Sequence, residues 1–467
     1  MNLKTWKVVS LLALIAITAS GYAEALSLQD CRDLSLKNAE CMSIARLGVE
    51  SGTALKKASF TAFLPSLNAM GTYMHSGKTF EYKEDLNLQQ LLGGMAQANP
   101  AVTSDLFYQT LTALFQQGMI SDEIDLQIGE KDNWLLGVEL VQPIFTGGKI
   151  IEQYKLAKSG ETLAKDQLRQ TQSDLLLKTD EAFWRVISLQ EKVKLAQSYQ
   201  ALVQKHVDDL TNAYEQGIVT QNELLKARVK LEEAKLNVLQ ASNGQKLALM
   251  ALNQLLGCDL NVATELEYQP VEAVQFNIPD INAVLENRPD YQMLKQQKEI
   301  NSSLHRIAKS RYYPNIGLQG NFHTLKPDVY NSLDNNFGTG WQVGIVAQME
   351  LFHFGERHQG LKAAQNNLKA SELKLQEARE LIELQIQSCA NQLSEANSKL
   401  EISNTSLQQA EENLRVCQAR YQEGMLRSSD LLEAQSLWQK SYSDKIDSEM
   451  DLNIKNSTYL KAIDALK

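Results

Sequence analysis

Six histidines and five cysteines are the residues best suited to metal or nucleophilic chemistry in this 467-residue chain, and their spacing supports neither. His75, His206, His305 and His323 stand far apart in sequence. His353 and His358 lie closer, but no glutamate falls between them and the pair straddles the end of a strand-like run, a poor match to a zinc site. Cys31 and Cys41 share one helix-like stretch, where ten positions correspond to roughly 15 Å of axial rise, too far to bridge within it. Cys389 and Cys417 fall on an apolar seam and read as small packed hydrophobes. No catalytic, cofactor or metal constellation emerges, so the expected class is not an enzyme.

What remains is a set of polar groups in a stretch that occurs twice. AYEQGIVTQNELLKAR at 213–228 returns as RYQEGMLRSSDLLEAQ at 420–435. Tyr214, Gly217, Glu223, Leu224, Leu225 and Ala227 are matched by Tyr421, Gly424, Asp430, Leu431, Leu432 and Ala434, each 207 positions later. Gly217 and Gly424 stand where a helix ends in a residue of positive φ. Thr220 or Asn222 in the first copy, and Ser428 or Ser429 in the second, can cap the returning helix, with Glu223 and Asp430 beside its positive end. Asp430 and Glu433, three apart, share a helix face. Capping and a solvated face would account for these acids without any further role.

The elements around these turns are long helices. From Ala182 an apolar seam steps by four and three through Val186, Leu189, Val193, Ala196, Gln200, Val203, Val207 and Leu210 to Tyr214. Shifted by 207 it reads Cys389, Leu393, Ala396, Leu400, Ser403, Leu407, Ala410, Leu414, Cys417, Tyr421. A sustained 3.5-residue repeat specifies coiled-coil packing. No proline interrupts 149–216, so one helix on the order of 100 Å is predicted there. Each repeated stretch is then the reversal of a long helical hairpin.

Shorter segments also recur. AFLPSLNAMG at 62–71 matches RYYPNIGLQG at 311–320, and NWLLGVELVQPIFTGGK at 133–149 matches GWQVGIVAQMELFHFGE at 340–356. Trp134, Leu136, Val138 and Leu140 alternate with Leu135, Gly137, Glu139 and Val141; Trp341, Val343, Ile345 and Met349 alternate with Gln342, Gly344, Gln348 and Glu350. In 315–324, Asn315, Gln319, Asn321 and His323 alternate with Ile316, Leu318 and Phe322. Period-2 alternation over about ten residues suits a transmembrane barrel strand, and also a soluble hairpin with one buried face. The first unit carries 42 more residues between its strands than the second, and its segment 77–132 holds nine acids against three lysines.

The N-terminus points to export. Lys4 and Lys7 precede the apolar run Val8–Ala19, and Gly21, Ala23 and Ala25 follow, the layout of a secretory signal cleaved after Ala23. The run is shorter than the roughly 20 residues a bilayer requires. Leu28-Gln29-Asp30 before Cys31 is no lipoprotein cleavage box, so no lipid anchor is expected. Removing residues 1–23 takes away two lysines and no acid from a chain of net charge −10. An acidic chain without a basic patch argues against nucleic acid. Any membrane insertion must use strands, since no other stretch reads as a membrane helix.

Taken in register, these features resemble the TolC-type outer-membrane efflux family. The resemblance rests on the duplicated order of strand, strand and long hairpin, and on Tyr-x-x-Gly-x5-acid-Leu-Leu-x-Ala at both turns. It also rests on Arg288-Pro289-Asp290, on Pro65 and Pro314 before the strands, and on Leu255-Leu256-Gly257 closing a helix. It implies a mainly α fold with a small β part: a signal peptide 1–23, a first repeat 24–257, a linker 258–280 and a second repeat 281–467. It implies a homotrimer with a 12-stranded β-barrel in outer-membrane lipid and an α-helical barrel reaching across the periplasm. The segment 77–132 would be a long extracellular insertion. The function implied is a passive exit duct of a tripartite efflux pump for drugs or other small molecules. Its partners would be a periplasmic adaptor and an inner-membrane transporter, with no cofactor. The outlet of a type I protein-secretion system is the near alternative, and a periplasmic coiled-coil scaffold or adaptor without a pore is the distant one. By position or near it, Glu223, Tyr421 and Arg427 resemble the links that hold such tips shut; Leu426 stands where the family places its arginine, and Arg427 follows. Threefold symmetry would make Asp430 and Glu433 acidic rings across a narrow mouth.

Overall fold

The computed structural model describes residues 25–77, 80–85, 87–117, 119, 123–128, 131–268, 274–330 and 335–466. The signal segment 1–23 and part of the linker lie outside these residues. The chain divides into two compact units, the larger formed by residues up to 56, 154–305 and 362–467, the smaller by 57–153 and 306–361.

The smaller unit is built on a four-stranded antiparallel sheet of β1 (Ser66–His75), β4 (Asp132–Thr146), β5 (Asn315–Lys326) and β6 (Gly338–Gln348), in that order. Alternation in the sequence becomes two-facedness through the register. Val138 lies opposite Ala69 and Phe322, Leu140 opposite Leu67 and Gly320, and Phe322 opposite Trp341. Directly paired residues project to the same side, so one face collects Leu67, Tyr73, Trp134, Val138, Phe322, Val343 and Ile345, all exposed in the single chain. The other face carries Asn68, Glu139, Gln319, Asn321 and Gln342, and the Gln319 amide donates to Glu139 there. Pro143 has no N–H for the ladder, and the register shifts beside it, between Pro143 and Phe145. Met349, in step with the alternation, lies just past the end of β6, in residues without regular structure. Within the chain, β1 and β6 are the sheet edges.

Between β1 and β4 a second ribbon pairs β2 (Phe80–Asp85) with β3 (Glu123–Ile128). It frames helices α3 (Leu88–Ala98) and α4 (Leu106–Gln116), joined by a 3-10 turn over Pro100–Ser104. Asn87 and Asp105 cap these helices by accepting from the Gln90 and Phe107 amides.

The larger unit is helical. α1 (Leu28–Asn38) and α2 (Glu40–Thr61) precede the first hairpin, α5 (Lys149–Glu215) and α6 (Gln221–Leu256). α7 (Ile281–Asn287) and α8 (Pro289–Ser310) precede the second, α9 (Glu356–Gln422) and α10 (Ser428–Ala462). α5 and α9 have the same length, 67 residues. Cys31 and Cys41 fall on different helices because Ala39 is extended, while Asn38 turns its amide onto the Leu256 carbonyl. All five cysteines are free. Phe183, Val186 and Ile187 pack with Cys31, Leu252 and Leu256 in the first repeat. In the second, Ile386, Leu393 and Leu400 pack with Leu285, Leu452 and Tyr459.

Two arginine–carboxylate pairs join these helices, with Asp180 fully buried in the first and Arg288 buried in the second. Arg32 donates to both oxygens of Asp180, at 2.8 and 2.6 Å, and the Ser457 hydroxyl adds a third bond at 2.6 Å. Arg288 does the corresponding work in the second repeat. Its guanidinium holds Asp290, the Gln385 side chain and the Ala462 carbonyl at the end of α10. Arg288-Pro289-Asp290 therefore acts as a clasp on both helices of its hairpin. Among the described residues no helix is long and apolar enough to cross a membrane.

Candidate functional site: the paired hairpin tips

Both tips turn through a glycine at φ +74°, Gly217 and Gly424, in the left-handed region that side chains with a Cβ avoid. The backbone closes alike around each. Gly217 N–H donates to Tyr214 and Ile218 N–H to Ala213, just as Gly424 N–H donates to Tyr421 and Met425 N–H to Arg420. The returning helices start differently. Thr220 is the N-cap of α6, accepting from the Glu223 amide while the Glu223 carboxylate accepts from the Thr220 amide at 3.3 Å, a closed capping box. The equivalent N-cap of α10 is Arg427, whose side chain makes no cap bond. The capping expected from Ser428 or Ser429 is absent because both lie one or two positions inside the helix. Ser429 donates to Asp430 at 3.0 Å, and Ser428 is turned to the other hairpin.

The two tips pack on one another. Leu432 of α10 joins the first hairpin's cluster of Val203, Val207, Leu210, Leu224 and Ala227. Leu202 of α5 packs against Leu414, Leu431 and Ala434 of the second. Tyr199 Oη lies 3.1 Å from Ser436 Oγ, and His206 Nε2 lies 2.8 Å from Ser428 Oγ. The His206 ring also meets the Tyr421 ring edge-on, centroids 5.1 Å apart.

The residues singled out from sequence are distributed as follows. Tyr421 is half-buried; burial raises its phenol's pKa, and the charges of Asp209 and Glu223 raise it further. Glu223 thus lies within electrostatic reach of Tyr421, although no hydrogen bond joins them. The Arg427 side chain is exposed and makes no hydrogen bond or ion pair among the described residues, while its carbonyl accepts from the Asp430 and Leu431 amides. Asp430 and Glu433 are exposed on α10. Glu433 edges a groove of about 590 Å³ between α6 and α10, whose floor includes Leu225, Val229 and Leu432. His206 stands among the scattered histidines in sequence, yet its ring touches both arms of the second turn. Its neighbours Val203 and Val207 on the seam were the available signal.

His353 is half of the His-x4-His spacing. It lies 3.0 Å from Glu350 and 3.7 Å from Glu356, all exposed, with Arg311 2.6 Å from Glu356. The guanidinium already offsets the carboxylates, and the cluster offers no enclosed site.

Comparisons with known proteins agree with this architecture. The model of the outer membrane efflux protein family matches residues 31–258 and 281–458. The alkaline protease secretion protein AprF of Pseudomonas aeruginosa is 21% identical over 313 residues, 65% of this chain and 64% of that protein. Outer membrane protein TolC of Salmonella enteritidis is 21% identical over 275 residues, 56% of this chain and 55% of that one. The matched part of the chain therefore spans between about half and two thirds of these relatives' length. In fold, the chain is similar to the CmeC outer membrane channel of Campylobacter jejuni, with TM-score 0.74, 19% identity, and coverage of 94% of this chain and 85% of that one. With both repeats matched by the family model, the chain belongs to the outer membrane efflux protein family.

Proposed function

We propose that this chain is one of three identical subunits of a passive exit duct in the outer membrane, serving a tripartite efflux pump. The observation that carries this reading is the four-stranded sheet with an apolar face, a polar face and two edges unpaired within the chain. Lipid leaves no water to satisfy edge amides, so such a sheet is stable in a membrane only when copies close it into a barrel. Three copies give twelve strands, with polar residues lining the lumen. The long hairpins extend into the periplasm and leave Leu236, Leu239, Leu373, Leu384 and Ile402 exposed for neighbouring copies. The insertion between β1 and β4 faces outside, where such barrels carry their long loops. Energy comes from an inner-membrane transporter, docked at the tips through a periplasmic adaptor. Domain boundaries follow the repeats: 24–257 and 281–467, joined by the linker 258–280.

A second reading has its own support. A relative matched over 65% of this chain is named a protease secretion protein, so the duct is also suited to a type I secretion system. A pore-free periplasmic scaffold or adaptor would leave the apolar sheet face without a partner. Deleting the gene and assaying both drug accumulation and the secreted proteins separates the two ducts.

The tips are proposed as the closed periplasmic mouth, with Arg427 reaching an acid or Tyr421 across the threefold axis and Glu223 facing it. An exposed link is worth about 0.2–1 kcal/mol, but three copies bias one opening equilibrium. Replacing Glu223 and Arg427 together with alanine is expected to raise resting conductance of the purified protein in planar bilayers several-fold, with trimer stability nearly unchanged. Exchanging Asp430→Asn with Glu433→Gln is expected to weaken cation preference and block by multivalent cations. A protein that stays monomeric in mild detergent and never conducts would remove the duct reading. Unchanged conductance and selectivity in a conducting trimer would return these residues to capping and solvation.

A further inference from the structure

His206 is a polar ring in an apolar place. It is 3% exposed, on α5 of the first hairpin, and its hydrogen-bond and ring partners belong to the second. Tyr421 at the end of α9 and Ser428 at the start of α10 lie on either side of the Gly424 turn. One side chain therefore grips both arms of the neighbouring tip. Its Nε2 lies 2.8 Å from Ser428 Oγ, while its buried Nδ1 has no hydrogen-bond partner among the described residues.

We propose that His206 is the positioning residue of the tip and a proton-released latch: neutral, it ties the second hairpin to the first, and protonated, it lets that hairpin go. The proposal rests on reading the tips as the closed mouth of the duct. In the neutral ring Nε2–H can donate to Ser428, leaving a bare lone pair on Nδ1, which burial tolerates. Protonation adds an N–H and a positive charge at Nδ1, where the packed tip supplies no acceptor. The N-terminal end of α10, positive by its peptide dipoles, begins at Ser428 and opposes that charge too. From the second hairpin the groups against the ring are the Tyr421 phenol and the Ser428 hydroxyl, both neutral. From its own helix, Asp209 favours the charged ring, but burial outweighs it and holds the pKa below its ordinary 6.5.

Release of the second hairpin returns the ring to water and restores its ordinary pKa, so opening takes up protons. The latch is fully set at pH above that ordinary value and is lost as pH falls through the depressed one. Between the two values the opening equilibrium rises by about tenfold per pH unit for each proton taken up.

The test uses the full-length trimer in planar bilayers, with the pH on the tip side lowered from about 7.5 to about 5, across the histidine range. The wild-type open fraction is expected to rise steeply. His206→Gln keeps an uncharged amide near Ser428 and is expected to abolish that rise. Ser428→Ala removes the bond and is expected to increase opening at neutral pH by roughly fivefold per copy, the factor of one ordinary hydrogen bond. A conducting wild type without pH response, an equal response in His206→Gln, or no neutral-pH opening in Ser428→Ala would each overturn the latch. Should the glutamine variant fail to assemble, the wild-type titration and Ser428→Ala decide alone. A wild type that never conducts counts against the duct itself, and amide exchange then tests the latch independently. Exchange across 421–428 should quicken in acid in the wild type, and its failure to do so overturns the proposal.

Discussion

Asp180→Ala is expected to destabilise the folded protein by about 3–5 kcal/mol, the usual cost of removing one partner from a buried ion pair. Asp180 is fully buried and receives a two-pronged guanidinium from Arg32 and a hydroxyl from Ser457. These three residues stand on α5, α1 and α10, so one carboxylate joins the leading helix, the first hairpin and the second. Alanine leaves the Arg32 guanidinium without its carboxylate, with only 15% of its side chain exposed to water. Thermal or denaturant unfolding of the detergent-solubilised protein measures the loss. Pairing Asp180→Leu with Arg32→Met should recover much of it, because an apolar pair of similar volume avoids desolvating two charges. A loss under about 1 kcal/mol in the single variant would show that Arg32 relaxes to solvent and that the pair is not a structural centre.

Val138→Arg is expected to cost about 2–4 kcal/mol for each copy, the range for an arginine on the lipid face near the bilayer midplane. Val138 sits near the middle of β4, between Ala69 and Phe322 on the apolar face. Its neighbour in sequence, Glu139, points to the opposite face and is bonded by Gln319. Asn321→Arg, opposite Glu139, provides the control: on the face proposed to line the lumen, a cation should cost little and shift ion selectivity. Folding titrations into lipid vesicles and heat stability of the trimer read both variants. Equal effects at the two positions would mean that neither face meets lipid.

Much of this fold was legible because its determinants are periodic. The seam residues Val186, Val203, Val207, Leu210, Leu393, Leu400 and Leu414 are buried, since a heptad step marks the face a helix turns to its hairpin partner. A seam describes one partner, however, and α5 has two. Tyr199 and His206 lie beside the seam and bond Ser436 and Ser428 of the other hairpin, a packing that no periodicity within α5 announces. Asp180 escaped notice for a related reason: its arginine is 148 positions away. Alternation located the strands but did not separate a lipid-facing strand from a soluble hairpin. The pairing register brings Leu67, Val138, Phe322 and Val343 onto one face across all four strands, although Lys326 shares that face and Leu135 and Val141 share the other. The segment 77–132 read as an acidic loop, whereas Asn87 and Asp105, each ahead of an apolar run, were cap signals for α3 and α4.

Thr220 and Arg427 occupy equivalent places in the two repeats, 207 positions apart, and the difference between them sets the repeats apart. The first half has a cap, which is worth about 0.5–2 kcal/mol, and so its returning helix starts on its own authority. The second half carries an arginine there, and its Ser428 hydroxyl is committed to the sibling's His206 instead. One turn is self-sufficient and the other depends on its neighbour. That dependence is self-entrenching. Once Ser428 serves the sibling, a change at His206 is felt in the other half, and the two tips can no longer drift independently.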